Sequence, residues 1–226
     1  MDFINELEKI GITLDSDKLD KFNKYFNLLV EYNKVMNLTG ITDYDGVYLK
    51  HFYDSLTLVK AYDFTKDISL CDVGSGAGFP SIPLKIVFPN IKVTIIDSLN
   101  KRIEFLNVVI KELGLTNICA IHSRAEEYNK REEFDIVTSR ALADVNIGLE
   151  LCMPLVKVDG YYLPMVVGYN LGSNTIKTLG GEFIKEIKFN LPIENSERKI
   201  LVIKKVSLTN KMYPRSFSQI KKKPLK

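Results

Sequence analysis

Ser69-Leu70-Cys71-Asp72-Val73-Gly74-Ser75-Gly76-Ala77-Gly78-Phe79-Pro80, followed by Val93-Thr94-Ile95-Ile96-Asp97, decides how this chain is read. An apolar strand runs into a glycine-rich turn, a helix follows, and the next apolar strand ends on an acid able to hold ribose hydroxyls. That is one half of a Rossmann-like sheet. A dinucleotide pyrophosphate binds at backbone N–H groups and a helix N-terminus, with no carboxylate close by. Here Asp72 stands two residues before Gly74, and Gly74, Gly76 and Gly78 alternate instead of following G-x-G-x-x-G. S-adenosylmethionine carries an ammonium and a sulfonium and no phosphate, so an acid ending the first strand suits it. The glycines let the backbone approach such a cofactor without an intervening Cβ.

Outward from this turn, strand candidates at 68–73, 92–97, 117–122, 134–138, 160–167, 183–189 and 199–206 alternate with helical segments near 79–88, 99–113, 144–156 and 172–180. This pattern predicts an α/β fold with a seven-stranded, mostly parallel sheet covered on both faces. The last two strands are joined by the short polar loop from Leu191 to Glu197, which predicts an antiparallel hairpin at one edge. Before the sheet, Leu19, Phe22, Phe26, Leu29 and Val30 recur at helical spacing within residues 17–37, with Ser16 as the expected N-cap. Helices are also expected at 2–9 and 46–60. Residues 1–62 therefore read as an N-terminal helical cap, 63–206 as the Rossmann-like core and 207–226 as a basic tail.

Composition bounds the function. With 226 residues and 46% hydrophobic content the chain can bury a full core. It shows no apolar run resembling a signal peptide or a membrane span, so a soluble, cytoplasmic protein is expected. Cys71, Cys119 and Cys152 lack C-x-x-C spacing and are expected as small buried thiols, and with only His51 and His122 no histidine-rich metal site is expected. From Arg198 to Lys226 there are ten Lys or Arg and no Asp or Glu, so a whole-chain charge of +3 leaves residues 1–197 at net −7. The basic residues interleave with Tyr213 and Phe217 and end in Lys221-Lys222-Lys223, which suits phosphate contact and base stacking. The final stretch lacks apolar periodicity and is expected to order only on a partner, RNA being the favoured one.

Further short motifs fall in order along the chain: Asn37-Leu38-Thr39, His51-Phe52-Tyr53-Asp54-Ser55, Asp72 to Pro80, Arg124-Ala125-Glu126, Ser139-Arg140-Ala141, Arg198 and Tyr213-Pro214-Arg215. In this order and spacing the chain resembles the small-subunit (16S) ribosomal RNA guanine-N7 methyltransferases, formerly called glucose-inhibited division protein B. The resemblance implies a class I methyltransferase fold. It also implies S-adenosylmethionine as cofactor, and N7 of one guanosine in the decoding-region loop of 16S ribosomal RNA as the target. Guanine N7 presents a lone pair at neutral pH, so the chemistry needs alignment rather than a general base. Asn-Pro-Pro-Tyr and Pro-Cys segments, which mark two rival nucleic-acid methyltransferase classes, are absent.

On this resemblance Asp72, Gly74, Ser75, Gly76, Gly78 and Phe79 surround the methionine end of the cofactor, Asp97 holds the ribose, and Ala125 and Glu126 lie beside the adenine. Arg140 faces either the methionine carboxylate or an RNA phosphate, and Arg124 is open to the same two readings. His51 and Asp54, one helical turn apart, are expected to share a face near the pocket mouth and, with Arg140, form the candidate catalytic group. Arg124, Arg198, Arg215, Lys221, Lys222 and Lys223 are the candidate RNA contacts, and a monomer is expected. Ser81 and Val167 stand where the family usually has Gly and Lys. Rival readings are a small-molecule methyltransferase of the same fold, an NAD-dependent oxidoreductase and a non-catalytic RNA-binding protein.

Overall fold

The computed structural model describes residues 1–225 apart from 141, 143 and 173. Its N-terminal part is helical: α1 (Phe3–Glu8), α2 (Ser16–Met36) and α3 (Tyr44–Val47) lead through a π-helical turn, Tyr48–Tyr53, into α4 (Asp54–Leu56). The cap of α2 is Asp15, not Ser16. Asp15 is extended and its carboxylate accepts the Lys18 N–H at 2.8 Å, while Ser16 is already helical. Phe22, Tyr25 and Leu29 form the buried face of α2, and Asn37 ends the helix in the left-handed region.

The described residues then form a seven-stranded sheet in the order β3-β2-β1-β4-β5-β7-β6. Its strands are β1 (Ser69–Val73), β2 (Lys92–Asp97), β3 (Ile118–His122), β4 (Phe134–Arg140), β5 (Val156–Val166), β6 (Gly181–Asn190) and β7 (Glu197–Lys205). The helices between them are α5 (Ser81–Val87), α6 (Asn100–Glu112), α7 (Val145–Cys152) and α8 (Thr175–Thr178). β1 pairs in parallel with both β2 and β4, and β6 and β7 form the expected antiparallel hairpin. Strand order reverses between β1 and β4, so their carboxyl ends open the crevice where ligands of such sheets bind.

Cap and sheet share one apolar cluster. The Phe22 ring lies 5.0 Å from that of Phe52, and the Tyr25 ring 5.6 Å from Phe79 of the glycine turn. The Tyr25 hydroxyl donates to the Ala77 carbonyl at 2.5 Å, tying α2 directly to that turn. Cys71 and Cys152 are buried, and burial pushes the Cys152 thiol up to about 12. Cys119, expected inside, is exposed because β3 is an edge strand.

The basic tail is ordered against the core, contrary to the sequence expectation. Lys205 is fully buried, donating to the Met153 carbonyl at 2.6 Å and to Thr209 Oγ1 at 2.5 Å, and burial lowers its pKa to about 8. Arg131 donates to the carbonyls of Tyr213 at 2.6 Å and Thr209 at 3.1 Å. A last helix, α9 (Phe217–Lys222), buries Ile220 completely and starts with a capping box between Ser216 and Gln219. No helix among the described residues is long and apolar enough to cross a membrane.

Candidate active site

The glycines after β1 do different jobs. Gly74 and Gly76 have φ of +72° and +62°, a region that costs a residue with a side chain. A Cβ on Gly76 meets nothing within 4 Å, so this position faces open space; one on Gly74 touches only the Leu142 side chain at 3.3 Å. Gly78, at φ +105°, faces the other way. A Cβ there runs into Ile82 at 2.7 Å and the Tyr25 hydroxyl at 2.8 Å. Its missing side chain leaves room for Ile82 of α5 and for Tyr25 of the helical cap, so packing requires a glycine here whatever its backbone does toward a cofactor.

Asp72 lies wholly buried beneath this turn. One carboxylate oxygen accepts the Ser81 N–H at 3.1 Å, and the other has no partner. Burial raises its pKa to about 7, against the opposing pull of the Ser81 hydrogen bond and the Arg140 charge. The hydroxyls of Ser75 and Ser81 are likewise buried without partners. Ser81, the departure from the family pattern, thus keeps its backbone role toward Asp72. These unpaired acceptors fit the ammonium of S-adenosylmethionine, a group made of N–H donors.

Asp97 is also engaged. Its carboxylate accepts from the N–H groups of Gly76 at 3.1 Å and Leu99 at 3.0 Å and from Arg102 at 3.2 Å. A carboxylate has about four lone-pair sites, so one remains for a ribose hydroxyl. Asp97 borders a cleft of about 190 Å³ whose walls include Val73, Ile96, Ala125 and Glu126. The Glu126 side chain is only 10% exposed and stands 3.7 Å from the Arg124 guanidinium, so it belongs to the cleft and not to the outer surface. Arg124, half-exposed, sits on the rim.

A larger cavity of about 390 Å³ adjoins this cleft, and Leu142 lines both. Here the structure brings together the three candidate catalytic residues. Arg140, at the end of β4, donates to the Lys50 carbonyl at 3.0 Å, to Asp54 at 3.3 Å and to His51 Nδ1 at 3.3 Å. Its guanidinium also lies 4.9 Å over the Phe79 ring, on which His51 stacks at 4.5 Å. Phe79 is therefore covered by these two side chains. His51 Nε2 meets Thr39 Oγ1 at 2.8 Å, which explains the Asn37-Leu38-Thr39 segment: Asn33 caps the Leu38 and Thr39 N–H groups and fixes that hydroxyl. Burial, reinforced by the Arg140 charge, lowers the His51 pKa to about 4, so the ring is neutral near pH 7. Burial raises the Asp54 pKa, and the charges of Arg140 and Arg198 oppose the shift.

Arg198 approaches Asp54 at 3.5 Å and lines the same cavity, as do Lys50, Lys199 and the exposed Val167. Arg215 is elsewhere. It forms a bidentate pair with the fully buried Glu150 of α7, at 2.7 and 2.6 Å, and this corrects its assignment to RNA: the guanidinium clamps the tail to the core. Lys221, Lys222 and Lys223 are exposed. Ala141, the third residue of the Ser139-Arg140-Ala141 motif, lies outside the described residues. Sequence reasoning missed Lys50 and Leu142 as site residues and gave Phe217 to RNA stacking, whereas its ring borders the cleft beside Asp97. The Lys50 carbonyl anchors Arg140, a backbone contact that no side-chain pattern reports, and Leu142 is a single apolar residue in a segment without periodicity.

Comparison with known proteins shows the family and the fold. The model of the GidB family, described as rRNA small subunit methyltransferase G, matches residues 18–170. A protein named ribosomal RNA small subunit methyltransferase G from Exiguobacterium sibiricum is 49% identical, the match covering 99% of this chain and 98% of that one. One of the same name from Lysinibacillus sphaericus is 47% identical over the same shares. Among solved structures, a SAM-dependent methyltransferase from Aquifex aeolicus superposes with a TM-score of 0.55 at 17% identity, over 71% of this chain and 93% of that one. TrmN from Thermus thermophilus gives a TM-score of 0.53 at 14% identity, over 70% and 53%. At those identities the likeness is one of fold, that of the class I methyltransferases.

Proposed function

The chain belongs to the rRNA small subunit methyltransferase G family, and from that membership we propose that it methylates N7 of one guanosine in the decoding-region loop of 16S ribosomal RNA. It is an S-adenosylmethionine-dependent enzyme. The observation that carries the reading is the shared wall at Leu142. A cleft bounded by the glycine turn and Asp97 opens beside a cavity bordered by cationic groups, with room for a base.

When bound, S-adenosylmethionine supplies a methyl group already activated on a sulfonium sulfur. Asp72 and Ser75 receive the ammonium, Asp97 the ribose, and Ala125 and Glu126 border the adenine. Lys50, Arg198 and Lys199 attract the RNA backbone toward the larger cavity. No residue need remove a proton, since guanine N7 carries a free lone pair, and a neutral His51 held between Thr39 and Arg140 is consistent with a positioning role. Positive charge moves onto the guanine ring as N7 is methylated, and Asp54 is the one carboxylate among the described residues lining that cavity. Arg140 holds Asp54 in place and is itself anchored by the Lys50 carbonyl. Lys221 to Lys223 add a further phosphate-binding surface. We place the enzyme in the cytoplasm as a monomer.

The test is methyl transfer from labelled S-adenosylmethionine to small subunits lacking base methylation, with the product mapped by N7-specific strand cleavage. Label at a single guanine N7 in the decoding-region loop is expected. Cofactor binding without label on the small subunit would leave the fold standing and overturn the substrate.

A further inference from the structure

The C-terminal segment ends beside the cofactor cleft. Phe217, the first residue of α9, lines that cleft together with Asp97, Arg124, Ala125, Glu126 and Leu151. It is 37% exposed although its helix is anchored to the core. The anchoring is firm on both sides of it. Before it, the Arg215 backbone N–H and guanidinium both bind the buried Glu150 carboxylate; after it, Ile220 is fully buried among the residues of α7 and its neighbours. The Arg124 guanidinium lies 6.0 Å over the Phe217 ring. An aromatic ring and a guanidinium plane thus border a cleft whose other walls include Val73, Ile96 and Leu151, with an acid at the ribose end. A flat, apolar-faced heterocycle fits such a setting, with stacking on the ring as its main contact.

We propose that Phe217 is an adenine-binding residue, so that the C-terminal segment completes the cofactor site. The proposal rests on the cofactor reading above. It gives the segment a role distinct from RNA contact: the three lysines of α9 and its cap face solvent, while the residue that opens the helix faces the cofactor. Stacking on an otherwise exposed ring removes apolar surface from water on both partners, and the ring is held in place before the ligand arrives.

The chain has no tryptophan, so F217W introduces a single indole reporter at this position. Calorimetric titrations of S-adenosylmethionine and of 5′-methylthioadenosine, which keeps the adenosine half alone, are made on wild type, F217A, F217L and F217Y. Affinity for both ligands is expected to fall tenfold or more in F217A, to fall less in F217L, and to stay within about threefold of wild type in F217Y. Fluorescence of F217W is expected to change on saturation with either ligand. Wild-type affinity in F217A and F217L, with indole emission indifferent to cofactor, would overturn the proposal even if RNA binding were weakened. Absence of binding to the wild type would instead overturn the cofactor reading itself.

Discussion

Arg140 places its guanidinium 3.3 Å from the carboxylate of Asp54, a residue 86 positions earlier in the chain. One belongs to the end of a central strand and the other to the helical cap, so this contact joins the two halves of the molecule at the floor of the larger cavity. Arg198, from β7, approaches the same carboxylate at 3.5 Å. A single buried anion therefore holds two cations that border the cavity.

Removing that anion is expected to cost both stability and function. D54A leaves Arg140 and Arg198 without their common counter-ion, a loss of about 3 kcal/mol for a buried pair. The measurement is urea unfolding in the absence of ligand, alongside methyl transfer. D54N, which keeps the shape, is expected to lose less stability than D54A and still transfer methyl groups slowly. Full activity in D54N would remove Asp54 from the reaction.

The glycine turn predicts a separation of two effects. G76D directs bulk and charge into open space beside Asp97 and is expected to abolish binding of S-adenosylmethionine while the unfolding midpoint changes little, because aspartate tolerates the left-handed region. G78A is expected to do the reverse, forcing Ile82 or Tyr25 aside at about 1–3 kcal/mol. Calorimetry and thermal unfolding on both variants distinguish the positions. Equal loss of affinity in the two would place Gly78 on the cofactor surface as well.

Asp72 predicts a pH dependence. Its folded-state pKa of about 7 lies above the ordinary 3.8, so its retained proton stabilises the fold fully below pH 3.8 and that contribution is lost as pH rises through about 7. Cofactor affinity runs the other way, since the ammonium favours the ionised carboxylate. Between pH 5.5 and 7 the affinity for S-adenosylmethionine is expected to rise on the order of tenfold, and D72N is expected to flatten the profile. A wild-type affinity independent of pH would separate Asp72 from the ammonium.

The two kinds of basic residue in the tail should behave differently. R215A leaves the fully buried Glu150 without its counter-ion, holding only the backbone N–H of residue 215, and is expected to destabilise the tail by on the order of 2–3 kcal/mol, seen as faster amide exchange over residues 206–225. Replacing Lys221, Lys222 and Lys223 together by Ala is expected to leave unfolding unchanged, weaken RNA binding and reduce its salt slope. An unchanged slope would remove these lysines from the RNA surface.

Much of this protein was legible along the chain. The strand-turn-strand from Ser69 to Asp97, the alternation that follows and the short loop at Leu191 to Glu197 determine the sheet and its edge hairpin, because side-chain period and turn chemistry act between near neighbours. The same locality allowed Ser16 to stand in for Asp15 as a cap, since both are capping residues one position apart and only backbone angles separate them. What tertiary structure alone decided lies at long separation. Gly78 faces the cap because Tyr25 and Ile82 occupy the space beside it, and Arg215 is clamped to the core because α7 places a buried Glu150 opposite it. Phe217 reaches the cofactor cleft for the same reason. Which residues face each other across the fold depends on how apolar surfaces pack, and no local pattern of residue types encodes that packing.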